Sequence, residues 1–212
     1  MKQLNLACRI YLVRHGQTQW NLEQRFQGLI DVPLDQDGKN QAHQLACELK
    51  DISFDKIYAS PLLRAKETAT ILNQYLNKEI HFEPNLREGA FGKAEGMTRA
   101  EYLQYYSVQH AQVHAMPFLE RIQSTVVPGS ESIAEIADRV ISFLNTLVQQ
   151  HVGETLLVVS HGFVIRSVLA SLCEMDDREI SIENTGYIVL EHQGGKFELK
   201  HQKGLIKKLA CP

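Results

Sequence analysis

Short apolar segments that alternate with amphipathic segments constrain the fold of this chain more than any other feature of its sequence. Cys8–Val13 and Thr155–Val159 are dominated by apolar residues, as is typical of strands that are covered on both faces of a sheet. Between them, the segment from Ile133 to Leu147 repeats apolar residues at helical spacing. This alternation predicts a three-layer α/β/α sandwich with a mostly parallel central sheet.

The other predicted elements follow the same alternation. Helix starts are marked by N-cap residues, by a proline in the first turn or by capping boxes. Further strands are predicted at Lys56–Ala59, Glu79–Phe82, Tyr187–Glu191 and Lys196–Lys200. Helices are predicted to begin at Asp37, at Ser60-Pro61, at Thr98 and at Ser132, with another over Phe163–Leu172.

The length of 212 residues fits one domain that takes in the whole chain, 1–212. Hydrophobic residues make up 44% and charged residues 22%, close to globular averages, which excludes a disordered, collagen-like or coiled-coil chain. Residues 93–130, called the insert below, interrupt the alternation. We expect the insert to form a lid over the edge of the sheet.

A formal net charge of -3 gives the chain no general attraction for nucleic acid or for anionic membranes. No apolar run approaches the roughly 20 residues that a membrane-spanning helix needs. The cysteines form no Cys-x-x-Cys pair, so we expect reduced structural thiols rather than a zinc or redox site. These features predict a cytoplasmic protein; its cysteines are Cys8, Cys47, Cys173 and Cys211.

Two of the predicted strands end in the same way. The first runs into Arg14-His-Gly16 and the late one into Ser160-His-Gly162. Ligands of open α/β sheets bind beyond the carboxyl ends of the strands. If the two strands are neighbours, His15 and His161 meet there, and the glycine after each histidine allows a ligand to approach the backbone closely.

Arginines add positive charge near these two turns. Arg14 directly precedes His15, and Arg64 lies in the first turns of the helix after the second strand. A helix N-terminus favours an anion, and the forked donors of arginine match the geometry of a phosphate group. Together with the two His-Gly turns, these arginines predict a phosphate pocket.

Five ordered blocks of residues carry a family resemblance. They are Leu12-Val-Arg-His-Gly-Gln-Thr18 with Trp20-Asn21, Phe26-Gln-Gly28, Pro33-Leu34, Gly38 and Gln41-Ala42; Tyr58–Ala65 with Glu67–Ala69; Leu86–Glu88 with Phe91-Gly92 and Glu95–Thr98; Pro128–Ser132; and Val158–Gly162. Together they resemble the histidine phosphatase superfamily, also called phosphoglycerate mutase-like. The match covers nearly the whole chain, except roughly 99–127 and the C-terminal tail.

The resemblance implies that His15 is a nucleophile that takes the phosphoryl group as phosphohistidine. Arg14, Arg64 and His161 would surround the phosphoryl oxygens. Glu88 would be the general acid that protonates the leaving oxygen and then activates water. The family needs no metal and no other cofactor. Further residues implied at the phosphate and substrate pocket are Asn21, Gln27, Gly28 and Gly162.

These roles require particular protonation states. His15 attacks as neutral imidazole, and the positive charges of Arg14 and Arg64 should lower its pKa. Glu88 is useful as an acid only while it is protonated, and burial beside a phosphate should raise its pKa. Without the resemblance, Glu88 would be interpreted as an ordinary loop carboxylate paired with Arg87.

The resemblance favours a metal-independent phosphomonoesterase acting on a phosphorylated small molecule. The first alternative is a phosphoglycerate mutase, but the Glu-Arg-x-Tyr-Gly element of cofactor-dependent mutases is absent around Glu88. The second is a phospho-ligand binding protein without turnover, against which the intact set of predicted catalytic residues argues. Dimers occur among relatives, so a homodimer is left open.

Specificity is expected to depend on the insert. Arg99 and Arg121 are its only cations between residues 97 and 130, which favours a leaving group that is apolar or neutral. The aromatic stretch Tyr102, Tyr105 and Tyr106 is interpreted either as helix packing or as a wall that selects this group. His110 and His114 have the i, i+4 spacing of a metal pair, but no third ligand is evident, so a helix surface or a lid lining is the preferred interpretation.

Overall fold

The computed structural model describes residues 7–207, with only the backbone of Lys207, so Cys211 lies outside the described residues. Its sheet has six strands in the order β3-β2-β4-β1-β5-β6. The first four strands in this order pair in parallel, whereas β5 pairs antiparallel with β1 and β6 pairs antiparallel with β5, which confirms the mostly parallel sheet. The strands are β1 (Cys8–Arg14), β2 (Lys56–Ala59), β3 (Ile80–Phe82), β4 (Thr155–Ser160), β5 (Ile180–Gln193) and β6 (Lys196–Lys207).

Helices cover both faces of the sheet, which confirms the three-layer sandwich. Alternate residues of β4 enter two cores: Leu157 and Val159 join α2 and α3, whereas Leu156 and Val158 join α6 and α7. This two-sided burial explains why the strand is apolar throughout. The helices are α1 (Gln19–Leu22), α2 (Gln36–Leu49), α3 (Leu63–Leu76), α4 (Arg99–Ala115), α5 (Phe118–Gln123), α6 (Ile133–Gln150) and α7 (Gly162–Cys173).

Two helix starts differ from the prediction. The N-cap of α2 is Asp35, whose side chain accepts from the Gly38 backbone N–H at 2.7 Å, and not Asp37. The helix α3 begins at Leu63, after Ser60-Pro61, and has no side-chain cap. The Ser60 hydroxyl contacts His161 instead, so the sequence signal for a cap belongs to the candidate site.

Strand β5 begins earlier than predicted and β6 ends later. The segment before Tyr187 contains Thr185, whose φ of 57° is in the left-handed region. Here the register with β6 shifts between Ile182 and Tyr187. The residues of this segment are typical of a turn because they accommodate the irregular backbone, although the strand continues through it.

The insert contains α4 and α5. The capping box predicted at Thr98 and Glu101 is confirmed as the start of α4. Arg121 of α5 is buried and donates to the carboxylates of Asp176 and Asp177 at 2.9 and 3.0 Å, which ties the insert to the segment before β5. Within residues 7–207, the helices are too short or too polar to cross a bilayer.

Candidate active site

The carboxyl ends of β1 and β4 bring the two His-Gly turns together. Arg14 pairs with Ser160 in the parallel register, and the His15 N–H donates to the Ser160 carbonyl at 3.0 Å. The rings of His15 and His161 are 5.3 Å apart between centroids. The predicted meeting of these histidines is therefore confirmed.

The imidazole of His15 is held in one tautomer. Its Nδ1 is 2.6 Å from the Gly16 carbonyl oxygen. A carbonyl only accepts hydrogen bonds, so Nδ1 must carry the proton, and Nε2 keeps its lone pair. A Cβ on Gly16 would lie 2.5 Å from the Gly38 carbonyl oxygen, so only glycine fits this tight exit turn.

Burial lowers the pKa of His15 well below its usual range, and the charges of Arg64 and Arg14 lower it further. The side chain is almost completely buried. The direction predicted from the arginines is thus confirmed, although burial is the larger cause. His15 is therefore a neutral imidazole with a free Nε2 at neutral pH.

The guanidinium groups of the half-buried Arg14 and the fully buried Arg64 face the same cavity as His15. Arg14 donates to the Ile182 carbonyl, and Arg64 donates to the carbonyls of Gly28 and Ile30 at 2.8 and 3.0 Å. Burial lowers the pKa of Arg64 to about 10, so the group is still cationic at neutral pH. The Nε atoms of both arginines are buried without a hydrogen-bond partner among the described residues, as expected of donors directed at an anion.

His161 is completely buried and is not among the residues that line this cavity, although its ring adjoins that of His15. Its Nε2 is 2.7 Å from the Ser60 hydroxyl, whereas its buried Nδ1 has no partner among residues 7–207. Burial lowers the pKa of His161 well below its usual range, and Arg64 and His15 add to the effect. A neutral His161 that accepts from Ser60 at Nε2 would present an N–H at Nδ1.

The carboxyl group of Glu88 lines the cavity but is mostly buried. It accepts from the Gly89 N–H at 3.0 Å and from the Phe163 N–H, at the start of α7, at 3.4 Å. Burial raises the pKa of Glu88 despite these bonds and the nearby Arg64. Arg87 does not pair with Glu88; it pairs with Glu131 at 2.9 Å. Glu88 therefore has no ion pair with Arg87, as its predicted role as a protonated general acid requires.

Of the other predicted pocket residues, Asn21, Gln27 and Gly162 line the cavity and Gly28 does not. The Asn21 Oδ1 accepts from Thr18 and Asn184, which leaves its amide N–H groups as donors for an anion. Gly28 contributes its carbonyl to Arg64 and thereby acts one step away from the pocket.

The cavity measures about 240 Å³. Some of the residues that line it were not predicted from the sequence. Arg25 and Arg166 add two more cations to its wall. Arg166 lies one helical turn after Gly162, and that i, i+4 spacing is a signal that could have identified it. Asn184 donates to the His15 carbonyl oxygen at 3.1 Å, but nothing in the sequence links these two residues.

A larger chamber of about 350 Å³ adjoins this cavity. The two share Phe26, Phe91, Phe163 and Arg166, so a molecule held by its phosphate could extend from one into the other. The insert supplies much of the remaining wall. Its contributions are Ala94, Arg99, Tyr102, Leu103, His110, Val113, His114, Arg121, Ser124, Thr125, Val126, Val127 and Ser130.

The histidine pair of the insert lines this chamber. The rings of His110 and His114 stack at 4.0 Å between centroids. Burial lowers the pKa of both, so they are neutral at pH 7. Among residues 7–207, no group of three or more His, Cys, Asp or Glu side chains is arranged to hold a metal ion.

The family is decided by comparison with known proteins. Residues 10–203 match the model of the histidine phosphatase superfamily (branch 1). The chain belongs to this superfamily. The match takes in both His-Gly turns and all five predicted catalytic residues, so the family assignment and the site refer to the same part of the chain.

The proteins that are similar to this member of the histidine phosphatase superfamily are named as phosphatases or as phosphoglycerate mutases. It is 35% identical to "Uncharacterized phosphatase PhoE" of Bacillus subtilis (strain 168), over 93% of this chain and 98% of that protein. It is 31% identical to "Probable phosphoglycerate mutase GpmB" of Salmonella choleraesuis (strain SC-B67), over 89% and 87%. The crystal structure of phosphoserine phosphatase from Entamoeba histolytica in complex with 3-phosphoglyceric acid superposes with a TM-score of 0.80 at 28% identity, covering 96% of this chain and 98% of that one.

Proposed function

We propose that this chain is a phosphomonoesterase that hydrolyses a small-molecule phosphate ester through a phosphohistidine on His15. The observation that carries the proposal is the hydrogen bond from the His15 Nδ1 to the Gly16 carbonyl, beside Arg14 and Arg64. This hydrogen bond leaves Nε2 of His15 neutral, desolvated and free to act as the nucleophile beside the positive charges of Arg14 and Arg64. Phosphoryl transfer asks mainly for such positioning and charge neutralisation.

In the first step, the His15 Nε2 forms a bond to phosphorus while the bond from phosphorus to the leaving oxygen breaks. Glu88 donates its proton to that oxygen. Arg14 and Arg64 neutralise the charge that spreads over the phosphoryl oxygens, and His161 donates from Nδ1. These groups supply the stabilisation without a metal ion.

In the second step, water attacks the phosphohistidine. The Glu88 carboxylate takes a proton from the water, and the new oxygen bond to phosphorus replaces the bond to the His15 Nε2. Inorganic phosphate leaves, Glu88 is again protonated and His15 is again neutral. One pair of residues therefore serves both half-reactions, with Glu88 exchanging its roles of acid and base.

The chamber beside the cavity would take the leaving group. Its wall combines aromatic and aliphatic side chains, which favour a leaving group with an apolar body, with four arginines, Arg99, Arg121, Arg166 and Arg178. The shared residue Arg166 adds a charge that the insert alone would not supply. The test panel therefore includes neutral and carboxylated esters.

Phosphoglycerate mutase-type transfer is the second candidate, because several relatives bear that name. A mutase must keep the phosphohistidine from water and return the phosphoryl group to an acceptor. In this chain Glu88 lies in the same cavity as His15, where it can activate water, which favours hydrolysis.

The deciding experiment measures phosphate release from a panel of monoesters in the presence of a chelator. The panel contains aryl phosphates, sugar phosphates, nucleotides, phosphoserine and 3-phosphoglycerate, and a mutase assay runs in parallel. Chelator-resistant hydrolysis that His15→Ala abolishes would support the proposal. Mutase turnover in excess of hydrolysis would replace it with the second candidate, and binding of phosphate esters without turnover would make the chain a binding protein.

A further inference from the structure

The loop that carries Glu88 has little regular structure of its own. It follows the short 3-10 helix Pro84–Leu86 and precedes another at Gly92–Ala94. A loop of this kind needs partners for its backbone carbonyls, because it has no ladder of its own. A catalytic carboxyl on such a loop also needs an external support to fix its position.

One side chain of α6 supplies these partners. Arg139 donates to the carbonyls of Asn85 at 2.8 Å, Arg87 at 3.0 Å and Glu88 at 3.1 Å. Its other two N–H groups bind the Glu131 carboxylate at 2.9 and 3.3 Å. All five donors of the guanidinium are therefore used, three of them on the segment 85–88.

Glu131 binds the same loop from the other side. Its carboxylate accepts from the Ala90 N–H at 2.8 Å and from the Arg87 side chain at 2.9 Å. Its own N–H donates to the Ala90 carbonyl at 2.8 Å. Arg139 and Glu131, called the clamp below, thus contact the backbone on both sides of Glu88, at Arg87 and at Ala90.

The clamp is firmly seated. The side chains of Arg139 and Glu131 are only 13% and 18% exposed, so the pair is shielded from solvent more than a surface ion pair is. One helical turn before Arg139, the Ile136 side chain lies so close to Gly89 that a Cβ there would be 2.5 Å from its Cδ1. One face of α6 therefore holds the loop by packing and by hydrogen bonds together.

We propose that Arg139 and Glu131 are positioning residues for the general acid, which hold the Glu88 carboxyl at the leaving oxygen of the substrate. This inference rests on the proposed function of Glu88. Glu131 also lines the chamber, so the residue that supports the acid borders the space for the leaving group. Disturbing the clamp should therefore impair protonation of the leaving group and leave the His15 nucleophile intact.

The test compares two esters that differ in their need for an acid. p-Nitrophenyl phosphate has a leaving group that departs without a proton, whereas an alkyl phosphate such as glycerol phosphate requires one. In Arg139→Gln, Arg139→Lys and Glu131→Gln, kcat/KM for the alkyl ester should fall ~10–10²-fold, with little change for the aryl ester. A misplaced acid should lose only part of the ~10²–10⁴-fold that general acid catalysis contributes. Lysine keeps the charge but lacks the fork, so it should not rescue the activity.

Controls separate this effect from a loss of stability. Arg9→Gln removes an exposed ion pair with Glu191 and should leave both esters unaffected. A double variant, Glu88→Gln with Arg139→Gln, should be no slower on the alkyl ester than Glu88→Gln alone, because the clamp acts through Glu88. Thermal unfolding of each variant identifies those that are folded at the assay temperature.

The outcomes distinguish the two proposals. If the wild type hydrolyses neither ester, the proposed function is wrong. If Glu88→Gln discriminates between the esters but folded clamp variants slow both equally, the clamp only stabilises the fold, and this inference is overturned. Clamp variants that discriminate as Glu88→Gln does would establish it.

Discussion

The rings of His15 and His161 lie 5.3 Å apart, between centroids, at the carboxyl ends of the neighbouring strands β1 and β4. Both imidazoles are neutral for the same physical reason. Burial disfavours their charged forms, and the arginines beside them disfavour those forms further. Their hydrogen-bond partners differ: the Gly16 carbonyl fixes the lone pair of His15 at Nε2, whereas a Ser60 hydroxyl that donates to Nε2 of His161 leaves the N–H of that ring at Nδ1. One histidine can therefore attack phosphorus while the other binds its oxygens.

Replacing the nucleophile tests this division of roles. His15→Ala should lower kcat by at least ~10⁴-fold, as removal of a nucleophile does in other enzymes that act through a covalent intermediate. Arg14 and Arg64 stay in place, so the variant should still bind inorganic phosphate in calorimetry. A variant that turns over near the wild-type rate would remove His15 from the mechanism.

Arg64 should contribute to both catalysis and stability. Arg64→Ala is expected to lower kcat/KM by ~10²–10³-fold, as loss of a donor to transition-state charge does. It also leaves the carbonyls of Gly28 and Ile30 without their donor, at a cost of ~1–3 kcal/mol for the buried carbonyl of Gly28. Arg64→Lys keeps the charge and should fall between the wild type and the alanine variant. Kinetics and thermal unfolding of the two variants check both effects, and near-normal kcat/KM in folded Arg64→Ala would contradict the assignment.

Much of this site could be predicted from sequence because its central residues are marked locally. His15 and His161 follow apolar strands directly, and such strands are recognisable from composition alone. Their carboxyl ends share one edge of a parallel sheet, so proximity follows from the order of elements. Burial then sets the directions of the pKa shifts at His15 and Glu88.

The supporting residues could not be predicted because their roles depend on long-range contacts. Asn184 reaches the His15 carbonyl only because β5 continues through the irregular segment at Thr185, which has the sequence of a turn. Arg139 has the sequence environment of any polar residue on an amphipathic helix. Its function depends on which loop packs against that face of α6, and helical periodicity does not specify the loop.

The pH dependence of kcat/KM should have its optimum on the acidic side of neutrality. The rising limb reflects deprotonation of His15, because burial lowers the pKa of this histidine. The falling limb reflects deprotonation of Glu88, because burial raises the pKa of this carboxyl group. Glu88→Gln should be slower and should lose the falling limb. The substrate phosphate ionises near pH ~6 in both assays, so that contribution cancels in the comparison. An unchanged falling limb in Glu88→Gln would assign it to another group.

The raised pKa of Glu88 should lower the stability of the folded protein at neutral pH. Because its pKa is raised in the folded state, the folded protein retains a proton that the unfolded chain releases as pH rises above the ordinary range of glutamate. Wild type therefore loses stability through that window, whereas Glu88→Gln does not. The variant should have the higher Tm at about pH 7, with the difference vanishing near about pH 4, where both forms are neutral. A lower Tm for Glu88→Gln at neutral pH would show that the carboxylate is stabilised by its arginines on balance.

The chamber should select the leaving group through Tyr102. This ring lies 4.9 Å from that of Phe26, between centroids, and lines the chamber beside the phosphate cavity. Tyr102→Ala should raise KM for 1-naphthyl phosphate by ~10-fold, which corresponds to the loss of one aromatic contact of ~1.5 kcal/mol. KM for glycerol phosphate should change little, because so small a group does not reach the ring. Tyr105→Ala, on the same helix but 66% exposed and outside the chamber lining, is the matched control and should alter neither value. Equal changes of KM for both esters in Tyr102→Ala would mean that the leaving group does not occupy the chamber.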